Sequence, residues 1–239
     1  MNIVIPAAGV GSRFVQAGYQ IPKPFIPIKG KPMLEWVIDN ISTERDKVYI
    51  LTRLDHLPYL RGTDLAFRDN ICFIPVEKPT EGAACTVLRA RQFIDNDEPL
   101  LIANSDQYVK YDRERWQALL NGSGKVFSQG VIMTFNSKDP KWSYAKVDKY
   151  GGMVSQVAEK QVISAHATVG IYYYFRGRLF CEGADRMIAG NTRVNGEFYV
   201  CPVFNELVDK YNINIFPVDS MYGLGTPEDL QANQDFVGT

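Results

Sequence analysis

Asn2-Ile3-Val4-Ile5-Pro6-Ala7-Ala8-Gly9-Val10-Gly11-Ser12-Arg13 opens the chain, and its reading organises the rest. Asn2 to Pro6 is a short apolar run that gives way to a glycine-containing loop, the pattern of a buried strand ending where the backbone must turn. Gly9 and Gly11 remove side chains where an anion would approach, so successive N–H groups can converge on it as a nest. Ser12 and Arg13 add a hydroxyl and a permanent charge. Read alone, two glycines are equally an ordinary turn. Pro22-Lys23-Pro24 follows, with prolines that stiffen a lysine able to return to the same phosphate. By itself that tripeptide reads as a proline-rich surface turn.

Two better-known phosphate loops do not fit. Gly9-Val10-Gly11-Ser12-Arg13-Phe14 puts Phe where a dinucleotide-binding fingerprint needs its third glycine, and the next strand ends at Thr52-Arg53 without a ribose-binding acid. No GxxxxGK[ST] run occurs anywhere.

Outward from the loop, Pro32 followed by Met33, Leu34, Trp36, Val37, Ile38 and Ile41 predicts a helix with proline at its start. Strands are predicted at 48–52, 71–76 and 100–103, with a helix carrying Ala83, Val87, Ala90 and Ile94 after a turn at Gly82. Alternating strand and helix imply an α/β fold with a mainly parallel, doubly wound sheet flanked by helices. Segments 130–135, 144–148, 154–159 and 168–175 are strand-like with less helix between them. They predict a smaller β-rich subdomain, with Gly151-Gly152 as a hairpin turn. A helix around 204–208 and a strand at 214–218 come next, and Thr226-Pro227-Glu228-Asp229 has the composition of a helix start. The expected organisation is one domain over 1–239, with a nucleotide half at 1–127 and an acceptor half at 128–239.

Composition narrows the partners. Lys plus Arg total 26 against 27 Asp plus Glu, so the net charge of −1 leaves no electrostatic footprint for nucleic acid or an anionic membrane. No apolar run reaches membrane-spanning length, and the start lacks a basic leader, so the expected location is the cytoplasm. Cys72, Cys85, Cys181 and Cys201 form no CxxC pair and are expected to be buried, reduced thiols. His56 and His166 have no nucleophilic partner in any motif and are expected to be structural or exposed. Tyr172, Tyr173 and Tyr174 read as a strand alternating between core and surface. Nothing in the sequence specifies an oligomer.

The run from Gly9 to Ile41, GVGSRFVQAGYQIPKPFIPIKGKPMLEWVIDNI, resembles the signature of the sugar-phosphate nucleotidyltransferases, GxGxR followed by PK and a GKPM helix. The likeness continues, in family order, through Glu81-Gly82-Ala83-Ala84, Asn104-Ser105-Asp106, Ala158-Glu159-Lys160, Thr168-Val169-Gly170-Ile171-Tyr172, Gly196-Glu197 and Gly225-Thr226-Pro227-Glu228-Asp229-Leu230. It therefore spans essentially the whole chain. Within the family it is similar to a subgroup with SDQ and NGEFYV runs linked to capsule or surface-polysaccharide synthesis. That subgroup includes proteins resembling CTP:phosphoglutamine cytidylyltransferases. The resemblance implies a Rossmann-like sheet and transfer of a nucleotidyl group from an NTP, CTP favoured, to a phosphorylated acceptor. The acceptor is a sugar phosphate or a phosphoglutamine-like compound, and Mg²⁺ or Mn²⁺ assists.

By resemblance, Ala7, Ala8, Gly9, Gly11 and Ser12 contact the base and phosphates. Arg13 and Lys23 neutralise the triphosphate and its leaving pyrophosphate. Gly82, Ala83 and Ser105 complete the nucleotide contacts. Asp106 follows an apolar strand, where a carboxylate reaches the crevice at the carboxyl ends of a parallel sheet and can hold Mg²⁺. Alone, such an Asp is more often a cap or turn residue. The resemblance further implies Lys160 on the acceptor phosphate and Glu159 on an acceptor hydroxyl or amine. Ala145, Val169, Gly170 and Glu197 then line the acceptor pocket. One departure stands out: many relatives carry an Asp two residues before the GTPED run, where this chain has Gly223. Asp219 is the expected substitute. Two rivals remain at this point: a glycosyltransferase of related sheet, although Asn104-Ser105-Asp106 is not its usual DxD, and a non-catalytic nucleotide-binding regulator.

Overall fold

The structure is a computed structural model and describes residues 1–122, 128–149 and 152–233. Its strands are β1 (Asn2–Pro6), β2 (Pro27–Ile28), β3 (Lys31–Pro32), β4 (Lys47–Arg53), β5 (Ile71–Val76), β6 (Leu100–Ala103), β7 (Gln107–Lys110), β8 (Gly130–Asn136), β9 (Ser143–Val147), β10 (Val154–Glu159), β11 (His166–Tyr174), β12 (Ile213–Pro217) and β13 (Ser220–Gly223). The helices are α1 (Ser12–Gln16), α2 (Met33–Ile41), α3 (Leu57–Leu60), α4 (Ala83–Val87), α5 (Arg91–Ile94), α6 (Arg113–Leu120), α7 (Gly177–Ala189) and α8 (Pro227–Asn233).

One mixed sheet runs through both halves in the order β10-β9-β11-β6-β1-β4-β5, with β8 on the other edge of β11 and β12 beyond it. β1 pairs in parallel with β4 and β6, and β4 with β5, which is the doubly wound part the sequence predicts. β11 runs antiparallel to β6, β8 and β9. Two short antiparallel ribbons, β7–β13 and β2–β3, lie off the main sheet.

The near-continuous apolar runs follow from burial on both faces. Ile3 and Ile5 face one core with Leu34, Val37 and Ile38 of α2, whereas Val4 faces the other with Phe180, Ala184 and Met187 of α7. The same logic corrects the reading of the tyrosines. Tyr172 and Tyr174 enter the α7-side core and Tyr173 the α2-side core, so the strand alternates between two cores, and none of the three is at the surface. β11 lies inside the sheet with helices on both faces, so neither side of it meets water.

Other differences are local. α6 and the long helix α7 are additional to the predicted elements. In α7, Phe180, Ala184 and Met187 recur at helical spacing among arginines and acids that mask the apolar stripe. The predicted 83–94 helix is broken into α4, a short 3-10 turn and α5, and the predicted 204–208 helix is a 3-10 segment, Cys201–Glu206. Gly152 has a φ of 71°, as a hairpin glycine requires, while Gly151 lies outside the described residues. All four cysteines are free, but Cys72 is exposed on the edge strand β5 and Cys85 half-buried, so only Cys181 and Cys201 are the buried thiols expected.

What positions the site is a change of partner along β11. Its C-terminal half pairs with β6, from Ile171↔Ala103 to Tyr174↔Leu100, and its N-terminal half reaches β9 at Ala167↔Tyr144. Between them the register against β8 shifts, and Gly170 takes a φ of 74°. A Cβ at Gly170 would collide with the Asn104 side chain. The sheet therefore parts just beyond the carboxyl end of β6, leaving a crevice between β6 and β9 where an open α/β sheet characteristically binds ligands.

Candidate active site

A cleft of about 430 Å³ occupies that crevice. Asp106 stands at its centre, in the turn between β6 and β7. The turn is fixed by Asn104 N–H donating to Gly170 O (2.9 Å), Gln107 Nε2 to Asn104 O (3.0 Å) and Leu224 N–H to Asp106 O (2.8 Å). Lys23 Nζ donates to Asp106 Oδ2 at 2.5 Å. Their side chains are only 18% and 25% exposed, so solvent screens this pair less than a surface bridge.

Lys23 reaches Asp106 between two glycines. A Cβ at Gly11, whose φ is 66°, would lie 3.2 Å from Lys23 Cβ. One at Gly225 would lie 2.9 Å from Asp106 Oδ2 and 4.0 Å from Lys23 Nζ. The lysine thus follows from the glycine spacing as much as from its flanking prolines. The Ala7 N–H is spent on Leu51 O (2.8 Å), continuing the sheet. Among the described residues, the N–H groups of Ala8 to Arg13 donate to no protein acceptor, which leaves them for an anion.

The opposite end of the cleft, where the acceptor is expected, is made of side chains. Ser143 Oγ donates to Glu159 Oε2, and Tyr172 and Thr168 hydroxyls are 3.0 Å apart beside them. Burial pushes the Glu159 carboxyl above its ordinary range, with the Ser143 hydroxyl and the Lys160 charge pulling the other way. Lys160 Nζ donates to Tyr199 Oη at 2.8 Å, a hydrogen bond that raises the lysine above its ordinary value. Lys141 lies 3.4 Å from Asp229 Oδ1 and 4.8 Å from the Trp142 ring centroid.

Of the predicted residues, Arg13, Lys23, Asp106, Glu159, Lys160, Val169 and Gly170 line this one cleft. Ala8 lines a neighbouring hollow of about 300 Å³ at the ends of β1, β4 and β5. Gly82 has a φ of 132°, is packed on the Phe198 backbone and precedes Ala83 at the start of α4. Ser105 lies in the Asp106 turn outside the cleft lining. The Ala145 side chain is fully buried in the core, and its carbonyl accepts from Ser164 Oγ at 2.7 Å. Glu197 is exposed and bridges Val194 through its backbone.

Asp219 falls at the wrong end of the β7–β13 ribbon for a shared metal site. Its N–H donates to Lys110 O at 2.8 Å, while Gly223 at the opposite end pairs with Gln107 beside Asp106. Four residues of extended chain separate the two ends by about 13 Å. A further carboxylate that does face the cleft is Asp229, in the first turn of α8, whose N–H donates to the capping Thr226 Oγ1 at 3.0 Å. Asp229 Cγ lies 4.0 Å from where a Gly223 Cβ would be, and Trp142 lies 3.5 Å away. Among the described residues no cluster of three or more acidic, His or Cys side chains forms a ready-made metal cage. Mg²⁺ fits such a site, since it is typically held by one or two carboxylates together with water and substrate phosphates.

Neither histidine lines the cleft. His56 is buried, its Nδ1 3.2 Å from Thr52 Oγ1, and burial lowers its pKa below the ordinary histidine value. Ser143 and Trp142 line the cleft from outside the motif runs, with nearness to Ala145 as their only sequence signal, while Thr168 and Asp229 line it from inside two of those runs, where the resemblance assigns them no role.

Comparison with known proteins places this geometry. The bifunctional protein GlmU of Aquifex aeolicus is 28% identical over 99% of this chain and 53% of its own length. A second GlmU, from Fervidobacterium nodosum, is 26% identical over 84% of the chain and 42% of its own length. This chain thus spans about half the length of the curated relatives it matches, or less. A nucleoside-diphosphate-sugar pyrophosphorylase from Vibrio cholerae RC9 superposes with a TM-score of 0.79 at 25% identity, covering 97% of this chain and 99% of its own. A UDP-glucose pyrophosphorylase complexed with UDP-glucose shares the fold, with a TM-score of 0.77 at 17% identity and coverage of 98% and 97%. Among the described residues no helix is long and apolar enough to cross a membrane. The MobA-like NTP transferase domain matches residues 3–163, a stretch that holds the glycine loop, Lys23, Asp106 and Lys160, and the chain belongs to that family.

Proposed function

We propose that the protein transfers a nucleotidyl group from an NTP to a phosphorylated small molecule and releases pyrophosphate. The observation that carries this is the Lys23–Asp106 pair, set between Gly11 and Gly225 in a cleft that is also lined by Lys160, beside Glu159. Two anions must meet, and a cation waits for each. An acceptor phosphate oxygen attacks the α-phosphorus, a new P–O bond forms, and the bond from the α-phosphorus to the bridging oxygen breaks as pyrophosphate leaves. This calls for positioning and charge more than for a covalent nucleophile.

Backbone N–H groups from Ala8 to Arg13, with the Ser12 hydroxyl, receive the phosphates. Arg13 and Lys23 take the charge that builds on the leaving pyrophosphate. Gly82 and Ala83 border the base, and Lys160 receives the acceptor phosphate. The Glu159 carboxyl and the hydroxyls of Ser143 and Thr168 face the rest of the acceptor beside Val169 and Gly170. Asp106 would hold Mg²⁺, or Mn²⁺, together with the substrate phosphates. Asp229 would be the second carboxylate in place of Asp219. When bound, the ion neutralises phosphate charge.

A sugar phosphate is the acceptor class favoured by likeness to GlmU and to the pyrophosphorylases. CTP as donor and a role in capsule or surface-polysaccharide precursor synthesis rest on the SDQ and NGEFYV runs, and the cytoplasm is the place where the NTP is at hand. A matrix of four NTPs against sugar phosphates, phosphoglutamine and other phosphorylated metabolites, with Mg²⁺ or Mn²⁺, tests the proposal by pyrophosphate release. One NTP–acceptor pair should dominate. NDP-sugar consumption without any pyrophosphate release from an NTP would overturn it in favour of a glycosyltransferase.

A further inference from the structure

Lys160 ends β10 in an unusual backbone state. Its φ is 55°, in the left-handed region, and its N–H donates to Trp142 O at 3.1 Å. That turn sends the side chain across to Tyr199, where Nζ meets the hydroxyl at 2.8 Å and lies 4.9 Å from the ring centroid. A non-glycine residue held at positive φ marks a position that its surroundings over-determine.

Tyr199 stands on a fixed post. The preceding residue, Phe198, donates its N–H to Glu81 O at 2.8 Å and accepts from Ala84 N–H at 3.0 Å. Gly82 lies so close between these bonds that any Cβ there would collide with the Phe198 backbone. Arg193 covers the Phe198 ring at 4.0 Å and pairs with Glu81. Phe198 itself is 1% exposed. The backbone that presents the Tyr199 hydroxyl is therefore clamped to the loop that opens α4 in the nucleotide half.

We propose that Tyr199 is a positioning residue, whose hydroxyl fixes the Lys160 ammonium at the acceptor end of the cleft. The inference rests on the reading of Lys160 as the acceptor-phosphate cation. An ammonium has three donors; one is spent on Tyr199 and the others remain for a phosphate. A free lysine must give up its rotamer freedom when the acceptor binds, whereas one tethered by Tyr199 has given it up on folding. Tyr199 acts through the lysine and not on the reacting atoms.

The test is a double-mutant cycle on the full chain with Tyr199→Phe, Lys160→Ala and the pair. Glucose 1-phosphate and, separately, inorganic phosphate are titrated while indole fluorescence is followed, since Trp142 lines the cleft. Tyr199→Phe keeps the ring and removes one hydrogen bond. It should weaken both probes about 5-fold, leave the thermal midpoint and the affinity for CTP unchanged, and have no further effect once Lys160 is Ala. Weakening by Lys160→Ala but not by Tyr199→Phe overturns the positioning role alone. So does an equal effect of Tyr199→Phe in the Lys160→Ala background. Probe binding that is indifferent to Lys160→Ala overturns the assignment of Lys160 itself, and the positioning role with it.

Discussion

At the glycine-loop end of the cleft, the proposed nucleotide end, the chain withholds side chains, while at the Glu159 end, the proposed acceptor end, it crowds them together. Gly9, Gly11 and Gly225 leave backbone N–H groups with Lys23 and Arg13 on the first side. Across the parting of the sheet, Ser143, Glu159, Thr168 and Tyr172 come from three different strands and interlock through their own oxygens. In the proposed reading the first end takes what every NTP has in common, a chain of phosphates, and the second distinguishes one acceptor from another. A backbone cradle tolerates little substitution, because any added atom fills it, whereas a side-chain lining changes its preference one residue at a time.

The largest expected effect tests the charge at the backbone-built end. Lys23→Ala or Asp106→Ala should lower turnover by about 100-fold or more with the circular dichroism spectrum intact. Near wild-type pyrophosphate release from either variant removes the pair from the chemistry. Next comes Gly225→Ala, whose new Cβ meets Asp106 Oδ2 at 2.9 Å. Turnover should fall by about 10- to 100-fold through displacement of the carboxylate, with acceptor saturation little changed. If acceptor saturation suffers instead, the two ends are not separately built.

Asp229→Asn should raise the Mg²⁺ concentration for half-maximal rate several-fold, while Asp219→Asn leaves it where it is. The reverse order would return the second carboxylate to the β13 end of the ribbon. The smallest effect concerns stability at the side-chain-built end. Burial holds Glu159 above the ordinary glutamate value of 4.5, so the folded state binds this proton more tightly than the unfolded chain does. Its contribution is complete below that value and lost as pH rises through the folded-state value. Glu159→Gln should therefore gain thermal midpoint over wild type, by roughly 1 to 3 °C, on going from pH 4 to pH 7. A gain that stays constant with pH would mean the carboxyl titrates as though in water.

The contrast between the two ends also explains what the sequence made legible. Gly9, Gly11, Lys23 and Asp106 lie at strand ends or in short loops, where glycine and proline punctuate the chain and leave a readable spacing. The doubly wound half was readable for the same reason, since β1, β5 and β6 are unbroken apolar runs. Ser143 carries no such mark, and Thr168, although inside a motif run, is not singled out within it. They are ordinary strand residues, and only the change of partner along β11 brings them beside Glu159. Asp229 was hidden differently: it reads as a helix-start acid, which it also is, and its proposed second role depends on Gly223 leaving space beside it. Asp219 drew attention as the nearest acid to the missing one in sequence, but an antiparallel ribbon puts neighbours in sequence at opposite ends. The tyrosines were misassigned because period-two alternation distinguishes two faces without saying whether water covers either.

For anyone wishing to re-aim the proposed transfer at another acceptor, the parting at Gly170 marks where to cut. Among the described strands β9 and β10 join the main ladder through β11, with one further bridge from Met153 to Asn214 of β12, so libraries built at Ser143, Glu159 and their neighbours leave the pairing of β1, β4, β5 and β6 untouched. Gly170 and Asn104 form the hem of that seam. They should be kept fixed while the fabric beyond them is exchanged.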